Sequence, residues 1–314
     1  MYAVRVEGLT KYYGDVAALR GVSFSVRRGE RVGYLGPNGA GKTTTIKVLL
    51  GLVRPTDGYA EVLGNDVVRR PESIRGRVGY VQQGISFELG LTVEQNLNLY
   101  GYLWGLDAVE RRRRVRELME VFGLDRYARA YPNQLSLGLR RLLQVARELL
   151  HEPEVLFLDE PTTGLDPVAR VRVLDYVFRW SRDRGVTVFL TTHIPQDVER
   201  LCSRVILLCG GRVRADLSVG DFKRVFGGLS RVEVVFSAPV SGGFRVALEG
   251  ALAGAAELIR FCGNAVSMYV RGDSVARVVE ASVLTASRFG VRVASLRIEE
   301  PTLEDALIKA YLGG

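Results

Sequence analysis

Residues 36–43 read Gly-Pro-Asn-Gly-Ala-Gly-Lys-Thr, and no other run restricts the fold of this chain as tightly. Arg-Val-Gly-Tyr-Leu (31–35) before it has the apolar content of a buried strand. Thr-Thr-Ile-Lys-Val-Leu-Leu (44–50) after it has the apolar spacing of a helix. A strand that passes through glycines straight into a helix is the setting in which Gly-x4-Gly-Lys-Thr binds phosphate. Positive φ is expected at Gly36, Gly39 and Gly41, so that amide N–H groups of the loop, including those of Asn38 and Ala40, converge on one anion. The start of the helix, at Thr44, adds its partial positive charge. Lys42 would reach the β- and γ-phosphates, and the Thr43 hydroxyl would complete the coordination of Mg²⁺. The ligand implied is a nucleoside triphosphate. A glycine-rich turn that binds nothing is the competing reading, and the full spacing between strand and helix argues against it.

At 314 residues the chain has room for about two domains. Its net charge of +8 admits nucleic acid or an anionic membrane surface as a neighbour, although a nucleotide site also needs basic residues. Only five of the 43 basic residues are lysines, which reads as a composition bias. Cys202, Cys209 and Cys262 follow no disulfide or metal-ligand spacing, so a reducing compartment is expected. Arg5, Glu7 and Lys11 near the start leave no apolar core for a secretory signal. The longest uncharged stretches, 95–106 and 185–196, fall short of the ~20 apolar residues that a membrane helix needs.

Strand-like and helix-like runs alternate through the first two thirds, which predicts α/β architecture with a substantially parallel sheet. Strands are expected at 21–26, 58–63, 78–81, 155–158, 186–190 and 204–209, and helices at 93–104, 109–122, 137–150 and 168–183. No strand pattern interrupts 84–152, which reads as a helical subdomain inserted into the nucleotide-binding core. The pattern breaks near Phe-Gly-Gly-Leu (226–229), placing the domain boundary between 228 and 229. Residues 229–314 then read as a small α+β module, with strands near 231–236, 265–270 and 291–298, helices near 274–288 and 303–311, and no firm assignment for 244–262. Thr302 and Asp305 make a capping box for the last helix. Arg111 to Arg114 read as a solvated helix surface, with Glu110, Glu117 and Glu120 at pairing distance.

Val-Leu-Phe-Leu-Asp-Glu-Pro (155–161) is a buried strand that delivers two carboxylates at its C-terminal end, where ligands of open α/β sheets sit. Asp159 would hold Mg²⁺, directly or through water, and Glu160 would orient and polarise the attacking water. Taken alone, adjacent acids after a strand are a solvated turn; beside the phosphate loop they become chemistry.

Further runs stand in a fixed order around that pair. Leu-Ser-Leu-Gly-Leu-Arg-Arg (135–141) precedes it, Thr-Gly-Leu-Asp-Pro (163–167) follows it, and Thr-Thr-His (191–193) ends the next strand. This order resembles the ATP-binding subunits of ABC transporters from residue 2 to about 220. The resemblance implies a P-loop NTPase core with that inserted helical subdomain. It implies that Ser136 and Gly138 approach the γ-phosphate of ATP held on an opposing subunit, that Asp166 lies at the dimer interface, and that His193 contacts the γ-phosphate. Gln83 matches the glutamine that senses Mg²⁺ and water and couples the site to the permease, with Gln82 one residue away. Tyr13 matches the aromatic that stacks on adenine, with Tyr12 as its neighbour. Read singly, Ser136 caps a helix and His193 ends a strand. The chain departs from the commonest Leu-Ser-Gly-Gly-Gln pattern at Leu137 and Leu139.

The resemblance also implies the partners. A second ATP-binding subunit, as a homodimer, would sandwich ATP, and a separate transmembrane permease would be driven from the cytoplasmic face of the membrane. No direct nucleic-acid contact is expected, because no aromatic residues alternate with the arginine run. Ser-Leu-Arg-Ile-Glu-Glu-Pro-Thr-Leu-Glu-Asp-Ala-Leu (295–307) resembles the ending of ABC-2 exporter ATPases, which serve drug, lipid, polysaccharide or ion efflux. An importer ATPase with a regulatory C-terminal domain is the alternative. A soluble ABC ATPase acting on nucleic acid or ribosomes would bring coiled-coil insertions, zinc-binding cysteines or tandem cassettes, which this sequence does not show.

Overall fold

The structure is a computed structural model that describes residues 1–84 and 87–312. It divides into two compact units, Met1–Val219 and Gly220–Gly314. The first unit begins with β1 (Tyr2–Tyr13), β2 (Val16–Arg27), β3 (Arg31–Leu35), α1 (Lys42–Leu49), β4 (Asp57–Val62), β5 (Asn65–Asp66), α2 (Glu72–Arg75) and β6 (Val78–Val81). Three helices follow, α3 (Val93–Leu103), α4 (Ala108–Val121) and α5 (Leu137–Leu149). The unit then runs through β7 (Val155–Asp159), α6 (Pro167–Arg184), β8 (Thr187–Thr192), α7 (Pro195–Leu201), β9 (Arg204–Cys209) and β10 (Arg212–Ser218).

A six-stranded sheet of order β10-β9-β3-β8-β7-β6 carries the site. Its strands run parallel except β10, which pairs antiparallel with β9 at the edge. All residues of β7 and β8 are buried, as expected for strands covered on both faces. Tyr34, Phe157 and Phe189 of this sheet share a core with Ile46 of α1 and with Val4, Val22 and Phe24 of a second sheet. That second sheet, of order β2-β1-β4-β5, is antiparallel and was not expected. In β1 the apolar residues alternate with Arg5, Glu7 and Lys11 on an open face, and four register shifts break the period. The first helix starts at Lys42, two residues before the apolar pattern, because Gly41 is its N-cap.

Between β6 and β7 no strand is found among the described residues, in keeping with the helical stretch expected over 84–152; residues 85–86 lie outside the description. Within α4 the arginines are not uniformly solvated. Arg114 is buried and pairs with Glu110, Glu117 and Glu152, while Arg113 stays exposed beside Glu110.

The second unit holds all but the first residue of α8 (Val219–Phe226), so the division precedes this helix, whereas the sequence pattern breaks after it. It continues with β11 (Ser230–Phe236), α9 (Gly242–Leu252), β12 (Ala256–Cys262), β13 (Ala265–Val270), α10 (Val275–Arg288), β14 (Val293–Glu299) and α11 (Leu303–Leu312). The unassigned 244–262 thus holds α9 except its first two residues and, after a short turn, the whole of β12. From β11 to β14 the order is β-α-β-β-α-β, forming an antiparallel sheet β12-β13-β11-β14. Val232, Val234 and Phe236 of β11, Phe244 and Leu248 of α9 and Met268 of β13 form its core. The capping box of α11 is present: Asp305 N–H donates to Thr302 Oγ1 at 3.1 Å and Thr302 N–H to Asp305 Oδ2 at 3.0 Å. Residues 313–314 lie outside the description.

Candidate nucleotide site

The glycine loop joins the C-terminal end of β3 to α1. Gly39 and Gly41 have φ of 79° and 106°, as the loop requires, but Gly36 does not have positive φ. Gly36 is needed for a different reason. A Cβ there would stand 2.4 Å from the Leu208 carbonyl oxygen on neighbouring β9. The Gly36 N–H donates to Thr192 O at 3.3 Å, which ties the loop to the end of β8, and the Ala40 N–H donates back to Pro37 O at 3.2 Å. Asn38 and Gly39 form the exposed tip. Thr44 lies in the first turn of α1, while the Thr45 hydroxyl donates to Gly41 O at 3.0 Å and anchors the turn from inside.

Lys42 is 6% exposed, and its Nζ donates to Gly36 O at 2.7 Å and Pro37 O at 3.1 Å. The same Nζ lies 3.1 Å from Glu160 Oε1. That approach is an ion pair without hydrogen-bond alignment, since Oε1 accepts no hydrogen bond. Glu160 Oε2 takes the directional contacts, from His193 Nδ1 at 2.7 Å and Thr163 Oγ1 at 3.3 Å. Because a carboxylate only accepts, Nδ1 carries the proton in this pair. Glu160 itself sits at φ 50°, a left-handed conformation that costs of order 1 kcal/mol outside glycine and clusters at working sites. Its N–H donates to Thr191 O at 3.0 Å, which holds the turn.

Asp159, fully buried at the end of β7, accepts from Thr43 at 3.2 Å and from Thr191 at 2.5 Å on Oδ1, and from Tyr80 at 3.5 Å on Oδ2. Burial, and next the charge of Asp159, push the Tyr80 hydroxyl above its ordinary range, so it stays protonated and donates. Tyr80 and Thr191 were not read as site residues. They face Asp159 only because β6 and β8 flank β7, with Asp159 in register with Thr191.

Ser136, Gly138 and Asp166 come together elsewhere in the first unit, lining one small cavity that includes none of the residues just described. Ser136 is the N-cap of α5, accepting from Leu139 N–H at 3.3 Å. Asp166 is the N-cap of α6, accepting from the N–H groups of Val168 and Ala169. Gly138 lets the two helix starts meet, since a Cβ there would stand 2.6 Å from Ala169 Cβ. Gln83 follows β6 and is exposed. Its carbonyl accepts from Arg141 Nη2 at 2.9 Å, while Gln144 Nε2 donates to the carbonyls of Gln82 and Gly84. Arg141 and Gln144, both buried on α5, thereby grip the backbone around Gln83. Tyr13 ends β1 half exposed, with Lys11 Nζ 5.0 Å from its ring centroid, and Tyr12 is similarly exposed.

A third set of contacts links these loops. Asp197, fully buried on α7, accepts from Arg170 Nε at 2.5 Å, from Thr192 at 3.4 Å and from Thr162. It therefore ties the residue before His193 to the turn after Glu160 and to α6. No sequence motif marks Asp197, which lies in the first turn of α7.

Comparison with known proteins adds three findings. The family described as ABC transporter matches residues 19–163. The daunorubicin resistance ATP-binding protein DrrA3 of Streptomyces coeruleorubidus is 44% identical over 246 residues, 78% of this chain and 77% of that protein. The Nod factor export ATP-binding protein I of Ralstonia nicotianae is 44% identical over 212 residues, 66% of this chain and 64% of that one. Among solved structures, the dimeric ATP-binding cassette MJ0796, in a post-hydrolysis state bound to ADP and Pi, superposes with a TM-score of 0.62 at 28% identity. That alignment covers 68% of this chain and 98% of the cassette.

Proposed function

This chain belongs to the ATP-binding proteins of the ABC transporter family, and on that premise we propose that it binds and hydrolyses ATP to drive a separate membrane permease in the export direction. The observation that carries the proposal is the buried Glu160, beside Lys42 and His193 at the C-terminal edge of the sheet. Lys42 and the N–H groups from Gly36 to Thr44 hold the β- and γ-phosphates, with Asn38, Gly39, Ala40 and Gly41 forming the cradle. Glu160 accepts the proton of the attacking water while His193 keeps the carboxylate oriented. Tyr13 supplies an exposed ring for the adenine.

The donor set suits Mg²⁺. Thr43 Oγ1 and Asp159 Oδ1 stand 3.2 Å apart, a hydroxyl and a carboxylate oxygen, and Mg²⁺ prefers few protein oxygens because it keeps waters and phosphate oxygens. Gln83 would join from the end of β6. When bound, the ion neutralises charge on the phosphates.

The cluster at Ser136, Gly138 and Asp166 serves a second copy. Orphan N–H groups at the start of α5 and its dipole suit the γ-phosphate of ATP held on that copy. MJ0796 was solved as a dimer, which supports this arrangement. Among the described residues no helix is long and apolar enough to cross a membrane, so transport calls for a separate spanning partner, which would hold this subunit at the cytoplasmic face. The relatives named for daunorubicin resistance and Nod factor export support the outward direction and an exporter of the ABC-2 kind.

Glu160→Gln tests the proposal. It is expected to keep ATP affinity, lower turnover by ~10²–10⁴-fold and accumulate dimers with ATP. Near-normal hydrolysis would remove Glu160 from its role.

A further inference from the structure

The pairing of β6 with β7 ends at Val81, opposite Leu158, one residue before the loop that carries Gln83. Three successive carbonyls of that loop then face α5. Arg141 Nη1 donates to Gln82 O and Nη2 to Gln83 O, each at 2.9 Å, and Gln144 Nε2 donates to Gly84 O at 2.9 Å. Arg141 Nη1 also donates to Gln144 Oε1 at 2.7 Å, so the two side chains act as one unit. The Gln83 side chain itself is exposed.

This clamp is costly. Arg141 is 2% exposed, yet among the described residues no carboxylate stands near its guanidinium, and its Nε has no acceptor. Burial lowers its pKa with no acid to oppose the shift. A buried charge held only by neutral acceptors, with one donor unmet, works against stability, and an apolar side chain of similar volume serves stability better. What arginine supplies is a planar fork, whose N–H groups at fixed spacing match two successive carbonyls here. A residue that costs stability while fixing a backbone geometry marks a place where that geometry is used.

We infer that Arg141 is a positioning residue, whose fork fixes the backbone at 82–84 so that the Gln83 amide is presented toward the Thr43 and Asp159 oxygens that suit Mg²⁺. The inference rests on the role proposed above for Gln83. It makes the reach of Gln83 a property of α5 and not of the sheet. Under the proposed function α5 is also the helix whose start, at Ser136 and Gly138, meets the ATP of the second copy. The loop of Gln83 is thereby fastened to the element that feels that copy, and Arg141 lies within two turns of the contact.

A double-mutant cycle on metal binding tests it. The readout is the dissociation constant of Mn²⁺, a paramagnetic stand-in for Mg²⁺, from the full chain carrying Glu160→Gln with ATP present. Gln83→Ala is expected to weaken Mn²⁺ binding by ~10-fold, and Arg141→Met by a similar factor, the low end for groups that tune a metal site. The double variant is expected to match either single one at ~10-fold, and not the ~100-fold of independent residues, because Arg141 acts only through Gln83. ATP affinity without divalent metal stays the same, and the thermal midpoint moves by less than ~4 °C, since lost hydrogen bonds are offset by removing the buried charge. If the methionine variant does not fold, Arg141→Lys, which keeps the charge and loses the fork, runs the same cycle. Mn²⁺ binding indifferent to the Arg141 substitution, or a double variant weakened ~100-fold, would overturn the inference and leave the role of Gln83 intact. Normal Mn²⁺ binding by Gln83→Ala would remove Gln83 from the metal site, and the inference would fall with it.

Discussion

Two polar clusters of the first unit differ in where their side chains point. Lys42, Asp159 and Glu160 are buried, and the groups around them contact one another: ammonium to carboxylate, threonine to aspartate, histidine to glutamate. At Ser136, Gly138 and Asp166 the side chains are spent locally, each cap bonding to its own helix and the glycine admitting Ala169. Under the proposed function the first cluster moves a proton and holds charge. The second presents a helix start to something outside. Under the proposed function, separating these tasks within one chain makes hydrolysis depend on a second copy, because a phosphate seated at Lys42 would find its remaining donors on another molecule.

The sharpest way to break this contrast is to damage each cluster alone. Gly138→Val would push α5 and α6 apart, and is expected to cut turnover by ~10²-fold, the loss typical of a missing transition-state donor, while leaving ATP affinity nearly unchanged. Equilibrium ATP binding beside steady-state hydrolysis reads both quantities; a matching fall in affinity would merge the clusters into one site.

Asp197 joins the loops of the first cluster to α6. Asp197→Ala leaves Arg170 without its buried partner and is expected to cost ~3 kcal/mol, toward the low end for broken buried pairs because Arg170 is partly exposed. Denaturant unfolding gives that figure. Single-turnover hydrolysis by the variant is expected to slow as well, since Thr162 and Thr192 lose their common acceptor. A full-rate variant would leave Asp197 a purely structural residue.

The smallest effect concerns His151 of the helical subdomain, outside both clusters. Its ring stacks on Trp104 with centroids 3.8 Å apart, and Nε2 meets Val78 O at 3.0 Å. Burial lowers its pKa, a shift that the Val78 carbonyl opposes. As pH falls through ~6.5 the unfolded chain takes up a proton there and the folded one resists it, so stability present above that pH is lost below it. His151→Gln is expected to flatten the acid side of the thermal-midpoint profile by ~2 °C, with ATP turnover at neutral pH unchanged.

Much of the first cluster was legible because its residues come as short runs with fixed spacing beside buried strands. Lys42 and Thr43 follow glycines, and Asp159 and Glu160 end four apolar residues. Tyr80, Thr191 and Asp197 were not legible, because their contacts depend on which strands lie side by side, and one sequence does not state that β7 lies between β6 and β8. Arg141 and Gln144 escaped for a related reason: from α5 they reach back to the backbone carbonyls of Gln82, Gln83 and Gly84, far away in the sequence. The same limit hid β1, whose charged outer face and register shifts blur its alternation. Gly36 shows the subtler case, a needed glycine whose reason is the neighbouring Leu208 carbonyl and not its own φ.

The dependence of one cluster on another copy is tested most directly by mixing two inactive chains, Lys42→Ala and Gly138→Val, and measuring ATP hydrolysis. A mixed dimer holds one site in which both the loop and the helix start are intact. The account predicts that activity reappears on mixing, well above the sum of the separate chains. A mixture as inactive as its components, in samples shown by sedimentation to contain mixed dimers, would contradict it.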